Sequence, residues 1–534
     1  MQVGLYDWNK TMYLLKNLII FDGTGSEGFN SDILIDGDRI ARIGTGITAP
    51  DARVLDCTGL AAAPGFIDIH AHSEFSLLAE PAAPSKVMQG VTTEVSGNCG
   101  LSAAPLLGEA AVPREKDLAE YGLKLTWKDF GEYFALLEGA RPALNFVTYC
   151  GHGALRASVM GYADREPTED EFRKMENLLD DAMRSGAVGL STGLIYPPGV
   201  YSRTEELVRL AKVIARHGGV YTSHMRSEGA RVIEAIEEAI QIGREGGVPV
   251  QISHLKTAGP SNWHKITEIL ATIEKARAEG VAVTADRYPY TASSTDLDAI
   301  LPAWSYEGGA MEELKRLHDP AIRARLRQEV LDGHPVPEYW NRVMISSVVT
   351  EKNRALEGKT MAQAAEMRGQ EAVEALFDIL IEEEVRAGAI FFSMSEDNLK
   401  TFLRQEWCMV GSDATARAMT GVTRQGKPHP RAFGSFPRVL GKSVREDGTL
   451  TLPQAVRKLS AMAADKLGLA GRGYLKVGSY ADIVVFNPDV VADKATFEDP
   501  YQFPVGIEHV LINGEMAVEN GVQTDKRAGK VLRK

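Results

Sequence analysis

Five short, apolar, β-branched runs in this chain each end in a side chain that can bind a metal or move a proton. They are Phe66-Ile-Asp-Ile-His-Ala-His72, Val95-Ser-Gly-Asn-Cys99, Val220-Tyr-Thr-Ser-His224, Val250-Gln-Ile-Ser-His254 and Met409-Val-Gly-Ser-Asp413. A strand sends side chains i and i+2 to the same face, so His70 and His72 point together beyond the end of the first run. When five candidate strands deliver their chemistry at the same, C-terminal end, the choice of fold narrows sharply. A parallel (β/α)8 barrel collects active-site side chains from its strand ends on one face, and that is the architecture expected here.

The rest of the chain agrees with this reading. Helical patterns over Glu169 to Arg184, Thr204 to Arg216, Ala230 to Glu245 and Trp263 to Ala278 alternate with candidate strands at Phe146 to Tyr149, Val188 to Ser191, Val220 to His224, Val250 to His254 and Ala282 to Asp286. Such alternation marks a parallel α/β domain. The regularity breaks after Tyr290, and residues 291–345 read as an insertion able to lid the site. Leu452 to Leu467 is expected as one final helix. Residues 13–63 and the C-terminal segment alternate like short antiparallel strands joined by Gly and Asn-Gly turns. The expected organisation is therefore a catalytic barrel over 64–467 and one small β-sandwich domain built from 1–63 and 468–534.

Composition limits the function classes. Lys plus Arg is 59 against 72 Asp plus Glu, a formal net charge of −13, which argues against nucleic-acid and anionic-membrane binding. No apolar run is long enough for a transmembrane helix. Four cysteines, Cys57, Cys99, Cys150 and Cys408, are too few for a disulfide framework in 534 residues and suit a reducing interior. The N-terminus lacks the features of a signal peptide, so the expected location is cytoplasmic, with the first dozen residues an extension ahead of the folded part. The expected partner is a small-molecule substrate.

These motifs resemble the amidohydrolase superfamily and, within it, the D-aminoacylase (N-acyl-D-amino-acid deacylase) family. The resemblance covers nearly the whole chain. It rests on Asp22-Gly-Thr-Gly25, Pro64-Gly-Phe-Ile-Asp-Ile-His-Ala-His72, Ser96-Gly-Asn-Cys-Gly100, Thr222-Ser-His-Met-Arg-Ser-Glu228, Ser253-His-Leu-Lys256 and Gly411-Ser-Asp413. Cys99 discriminates within the superfamily. Many binuclear members bridge their metals with a carboxylated lysine on the fourth strand, and the run Ala187-Val-Gly-Leu-Ser-Thr-Gly193 contains none.

The donor set explains the chemistry. Cys99 with His224 and His254 makes a zinc site with one open position, the mark of catalytic rather than structural zinc. Zinc lowers the pKa of a bound water from about 15.7 towards ~7. Asp413 is the candidate general base and acid, taking a proton from that water and returning it to the departing nitrogen. His70 and His72 supply a second, weaker metal site that Cys99 can bridge. Each residue taken singly has an ordinary role: Asp413 as a helix N-cap, Cys99 as a small buried hydrophobe, the histidines as satisfied core residues. Their coincidence at five strand ends favours metal. His152, in Cys150-Gly-His152, is a candidate for the pocket wall.

An N-acyl amino acid carries a free carboxylate. Lys256, two residues past His254, together with Tyr288 and Arg431, is the candidate clamp, the latter two by the resemblance. Arg226 and Glu228 are expected to support the ligands. The pocket segment Ser293 to Trp304 contains two aspartates and no basic residue, which implies neutral, largely hydrophobic D-amino acids with Leu297, Ile300 and Leu301 as walls. The expected activity is zinc-dependent hydrolysis of N-acyl-D-amino acids. The alternatives are a cyclic amidase of the dihydroorotase or hydantoinase kind, a D-residue dipeptidase, and a non-catalytic scaffold that has lost its metal.

Overall fold

The computed structural model describes residues 12–534. The expected extension ahead of Met12 lies outside the described residues. Eight parallel strands follow one another in chain order: β1 (Phe66–Asp68), β2 (Val91–Ser96), β3 (Asn145–Thr148), β4 (Gly189–Gly193), β5 (Val220–His224), β6 (Val250–Ile252), β7 (Val283–Arg287) and β8 (Cys408–Val410). Neighbours pair in parallel from β1 to β3 and from β4 to β8. Past Tyr149, the extension Cys150–Gly151 of β3 pairs with β4. Beyond β8 the chain returns to the first strand, through a parallel bridge between Ala71 and Ala414 and a 2.7 Å bond from the Asp413 N–H to the His70 carbonyl.

Amphipathic helices connect these strands. Helix α1 (Glu169–Ser185) begins in a capping box, with Thr168 and Glu171 bonded reciprocally, and stops at Gly186, whose φ of 117° only glycine adopts readily. It buries Met175, Leu179, Ala182 and Met183, a spacing that forms one helical stripe. Helices α2 (Thr204–Ala215), α3 (Val232–Gly246) and α4 (Ile266–Ala278) follow, without side-chain caps at their starts. Leu452 to Leu467 is two helices rather than the expected one. The chain breaks at Ser460, whose hydroxyl donates to the Val456 carbonyl in competition with the helical ladder.

The excursion between β7 and β8 is longer than expected over 291–345 and reaches Phe392. Its first strand, Ala292–Asp296, pairs antiparallel with Gly388–Phe392, which also pairs with Val343–Ser347, so the unit cannot close before that last strand is made. It has a core of its own, including Leu297, Leu326, Phe377 and Leu380.

Both chain ends enter one nine-stranded sheet in which Ala61–Pro64 lies between Tyr13–Ile20 and Ile483–Phe486. The C-terminal hairpins turn at Asn513-Gly514 and Asn520-Gly521, all four residues at positive φ, as a two-residue hairpin turn with primed geometry requires. No helix among the described residues is long and apolar enough to cross a membrane. All four cysteines are free and buried.

Candidate metal centre

The strand ends converge on one cup. His70, His72, Cys99 and Asp413 form one group of donor atoms lying within 4.8 Å of one another, and Cys99, His224 and His254 form a second. Cys99 belongs to both, so one thiol is shared between the two donor sets. Its Sγ lies 3.3 Å from His70 Nε2 and 3.5 Å from His254 Nε2.

The ring orientations are fixed from behind. His70 Nδ1 lies 3.2 Å from Asp286, a carboxylate that also accepts the His254 backbone N–H and the Gln251 amide, each at 2.9 Å. His254 Nδ1 lies 2.8 Å from Glu228 Oε1. With these nitrogens committed, Nε2 of each ring is left to face the cup, which is the usual way a protein fixes a metal-binding imidazole. His224 differs: both of its ring nitrogens are buried without a hydrogen-bond partner. An unpaired buried polar group costs on the order of 1–3 kcal/mol, so the arrangement calls for a partner that a metal ion would supply. Four histidines, a thiol and a carboxylate are a donor set suited to zinc.

Electrostatics prepare the donors. Burial disfavours the Cys99 thiolate, but the His70 charge and the adjacent His224 and His254 rings outweigh it and hold the thiol well below its usual range. Burial lowers the His224 pKa, which favours the neutral, metal-binding ring. For Asp413 burial again opposes ionisation, and Arg431 overcomes it. Arg431 Nη1 lies 2.7 Å from Asp413 Oδ2, while Asp413 Oδ1 lies 3.2 Å from His72 Nε2 and 3.4 Å from His70 Nε2.

The backbone is strained where the donors sit. Cys99, His254 and Asp413 have φ values of 53°, 35° and 51°, a region that non-glycine residues enter at a cost of about 1–3 kcal/mol each. No helix follows Asp413, since the next one begins at Arg431, so the N-cap role does not apply. Gly411 is required by contact: a Cβ there would lie 2.6 Å from His70 Cβ.

Around the cup, Tyr288 is fully buried with an unpartnered hydroxyl, and the Arg431 guanidinium lies 4.7 Å from its ring centre. Arg431 also donates to the Ser294 carbonyl, and its backbone N–H donates to His429 Nδ1. The loop from Ala414 to Lys427, though long, thus leaves Arg431 beside Asp413. Lys256 is buried and ion-paired with Glu228, with Nζ 2.8 Å from His254 Nδ1. It stands behind His254 rather than on the strand face expected for it, because β6 ends at Ile252 and the chain turns at His254.

Other expectations change. His152 opens a helix, bonds Glu206 at 2.7 Å and belongs to neither donor group. Arg226 pairs with Glu238 and the carbonyls of Val200 and Ser202 instead of supporting a ligand. Leu297, Ile300 and Leu301 belong to the hydrophobic core of the inserted unit, and their burial there removes them as free pocket walls. A basic side chain from outside the Ser293 to Trp304 segment does approach it: Arg114 feels the charge of Asp296, though it already pairs with Asp117 at 2.9 Å.

Sequence reasoning missed Asp286, Tyr196 and Lys86. Tyr196 packs edge-on against His224 with ring centres 5.0 Å apart, and its hydroxyl meets Thr295 Oγ1 at 2.9 Å. Of the three, Asp286 carried a readable signal, as an acid ending an otherwise apolar strand.

Residues 53–518 match the model of an amidohydrolase family. The chain is 39% identical to the N-acyl-D-glutamate deacylase of Alcaligenes xylosoxydans xylosoxydans, over 96% of this chain and 95% of that one. It is 37% identical to the D-aminoacylase of the same organism, over 97% of each. Among solved structures it is similar to the N-acyl-D-glutamate deacylase of Bordetella bronchiseptica in complex with zinc and a phosphonate inhibitor that mimics the tetrahedral intermediate. There the TM-score is 0.83 and the identity 36%, covering 98% of this chain and 100% of that one.

Proposed function

The chain belongs to the amidohydrolase family, and from that premise we propose that it hydrolyses the amide bond of N-acyl-D-amino acids to a carboxylate and a free D-amino acid. One observation carries the reading: Cys99, His224 and His254 converge, with Asp413 and Arg431 paired beside them, in a chain similar over nearly its full length to N-acyl-D-amino-acid deacylases. The absence of a lysine on β4 and the thiol of Cys99 in both donor groups separate it from the lysine-bridged cyclic amidases. The succession of eight parallel strands, joined past Tyr149 by Cys150–Gly151 and returned to the first strand by the bridge between Ala71 and Ala414, supports a (β/α)8 barrel. The terminal sheet, with a core drawn from both chain ends, supports the small β-sandwich beside it.

Cys99, His224 and His254 would hold one tightly bound zinc ion, and His70 and His72, with Cys99 shared, a second and weaker one. Zinc, when bound, polarises the scissile carbonyl and makes water acidic enough to act as a nucleophile at neutral pH. Asp413 accepts the proton of the attacking water on its carboxylate and delivers it to the amine nitrogen as the C–N bond breaks. Arg431 keeps that carboxylate ionised between turnovers and, with donors to spare, grips the substrate α-carboxylate. Tyr288 contributes its unpartnered hydroxyl to the same group, and Lys256 adds positive charge behind His254. With two aspartates and no basic residue in Ser293 to Trp304, the pocket suits neutral side chains better than acidic ones.

The test is zinc content together with hydrolysis of paired N-acetyl-D- and N-acetyl-L-amino acids, leucine, methionine and glutamate among them. One or two zinc ions per chain with D-selective release of acetate, lost on chelation and restored by zinc, are expected. Zinc without activity on any N-acyl-D-amino acid would overturn the substrate reading, and preference for the D-glutamate substrate would overturn the neutral-side-chain preference alone.

A further inference from the structure

Lys86 is among the most deeply buried cations of the molecule, and its partners lie on either side of Asp413. Its Nζ donates to Asp68 Oδ2 at 2.7 Å, to Ser412 Oγ at 2.8 Å and to the Ala414 carbonyl at 2.8 Å. These three bonds use all three ammonium protons, and none is left for a substrate. Asp68 completes the frame. One of its oxygens accepts the backbone N–H groups of Ser412 at 2.8 Å and His70 at 3.3 Å, and the other accepts the Ser412 hydroxyl at 2.5 Å. Lys86, Asp68 and Ser412 are all fully buried.

The residues flanking Asp413 are therefore held independently. Ser412 is fixed by its N–H and its hydroxyl, Ala414 by its carbonyl, and Asp413 by its own N–H to His70. A strained φ of 51° persists only where the surroundings over-determine it, and here the over-determination can be traced to named atoms. The same short segment steadies the clamp beside the base. Ser85 exchanges bonds with Arg417, and Gln89 binds both the Ala432 carbonyl and the Phe436 N–H in the helix that Arg431 opens. Residues 85–89 thus form a backing plate behind both members of the Asp413–Arg431 pair.

We propose that Lys86, acting through Asp68 and Ser412, is a positioning residue for the Asp413 carboxylate, a buried ion pair that holds the proton-transfer group in its strained backbone geometry. The proposal rests on the reading of Asp413 as the proton-transfer group. It does not depend on which N-acyl amino acid is turned over. A misplacement of about 1 Å at a reacting group can lower a rate by roughly 100-fold, which sets the size of the expected effect.

The experiment compares the wild-type holoenzyme with Lys86→Met, Ser412→Ala, Asp413→Asn and the double variant Ser412→Ala/Asp413→Asn. The readouts are kcat, KM, zinc content, melting temperature and crystal structure. For Lys86→Met, kcat is expected to fall about 100-fold with KM within about 2-fold and zinc retained. Should that variant fail to fold, Ser412→Ala decides, since it leaves the Lys86–Asp68 pair in place. Its kcat is expected to fall about 10-fold with little change in melting temperature, and in the Asp413→Asn background it adds no further loss. Full kcat in Ser412→Ala, or a loss that multiplies with that of Asp413→Asn, overturns the proposal. If the wild-type protein hydrolyses no N-acyl-D-amino acid, the substrate reading fails separately. The crystal structures then decide: departure of Asp413 from positive φ in Ser412→Ala supports positioning, and an unchanged Asp413 overturns it.

Discussion

The metal cup and the polar seam behind it are built from neighbouring stretches of the same strands, yet they treat polar atoms in opposite ways. In the cup, both nitrogens of His224 and the hydroxyl of Tyr288 are buried without partners, and Cys99, His254 and Asp413 sit at positive φ. In the seam, Lys86 has three acceptors and Asp68 accepts at both oxygens. Glu94 meets the Ser73 hydroxyl at 2.9 Å, which in turn accepts the Ala416 N–H. Unsatisfied groups mark where something foreign is to be bound, and satisfied groups mark what holds that place still. The strain of the cup is sustained because the seam is over-determined.

If that division holds, damage to the cup abolishes activity with little loss of stability, whereas removal of the buried cation from the seam costs stability as well as activity. The largest effect is expected from Asp413→Ala, with kcat lower by about 1,000-fold, zinc content unchanged and the melting temperature close to wild type. A variant that lost its zinc in step with its activity would blur the comparison. Next comes Lys86→Met, which strands the Asp68 carboxylate in the interior and is expected to lose about 3–5 kcal/mol of stability in denaturant unfolding. Stability within about 1 kcal/mol of wild type would show that the seam is not a fastening.

Glu94 gives the seam a pH signature. Burial raises its pKa to about 7, against the opposing effect of Lys86 and with Asp68 and Glu74 adding to it. A carboxyl whose pKa is higher folded than unfolded binds the proton more tightly in the native state, so its contribution is present below about pH 4.5 and lost as the pH rises through 7. The loss amounts to as much as about 3 kcal/mol. Glu94→Gln should flatten the stability profile between pH 5 and 7, and an unaltered slope would assign it to other groups. The smallest effect belongs to Tyr288→Phe, which removes a hydroxyl already without a partner. A KM raised about 5-fold with stability changed by less than about 1 kcal/mol is expected, and a large stability loss would reveal a partner for that hydroxyl in solution.

Residues that act at strand ends were legible in the sequence, because a strand's period of two and the shared end of a parallel sheet dictate where their side chains go. His70, His72, Cys99, His224, His254 and Asp413 could be picked out on that basis and do come together. The Asn-Gly hairpins of the C-terminal sheet were legible because few other residues accept their backbone angles. Lys86 was not legible. It lies in a four-residue helix, and a lysine in Pro84-Ser-Lys-Val87 looks like any solvated lysine until Asp68 and Ser412 are brought to it from 18 and 326 positions away.

The extent of the excursion after Tyr290 was hidden for a related reason. Its closing strand, Gly388–Phe392, pairs with Ala292–Asp296 across nearly a hundred residues, a partnership that no local pattern encodes. Leu297, Ile300 and Leu301 were read as pocket walls from their position after Tyr290. Hydrophobicity says that a side chain will be buried, but the packing of distant helices decides against what.

By itself, then, the sequence determined the succession of parallel strands and the donor set at one end of it, since both follow from local period and residue type, while the deacylase likeness came from the motifs' resemblance to a known family. Only the tertiary structure decided which donors are oriented and which are left open, where Arg431 stands after its long loop, and which buried cation fastens the last strand to the first. Those outcomes depend on contacts between residues far apart in the chain, and such contacts are set by the packing of the whole molecule.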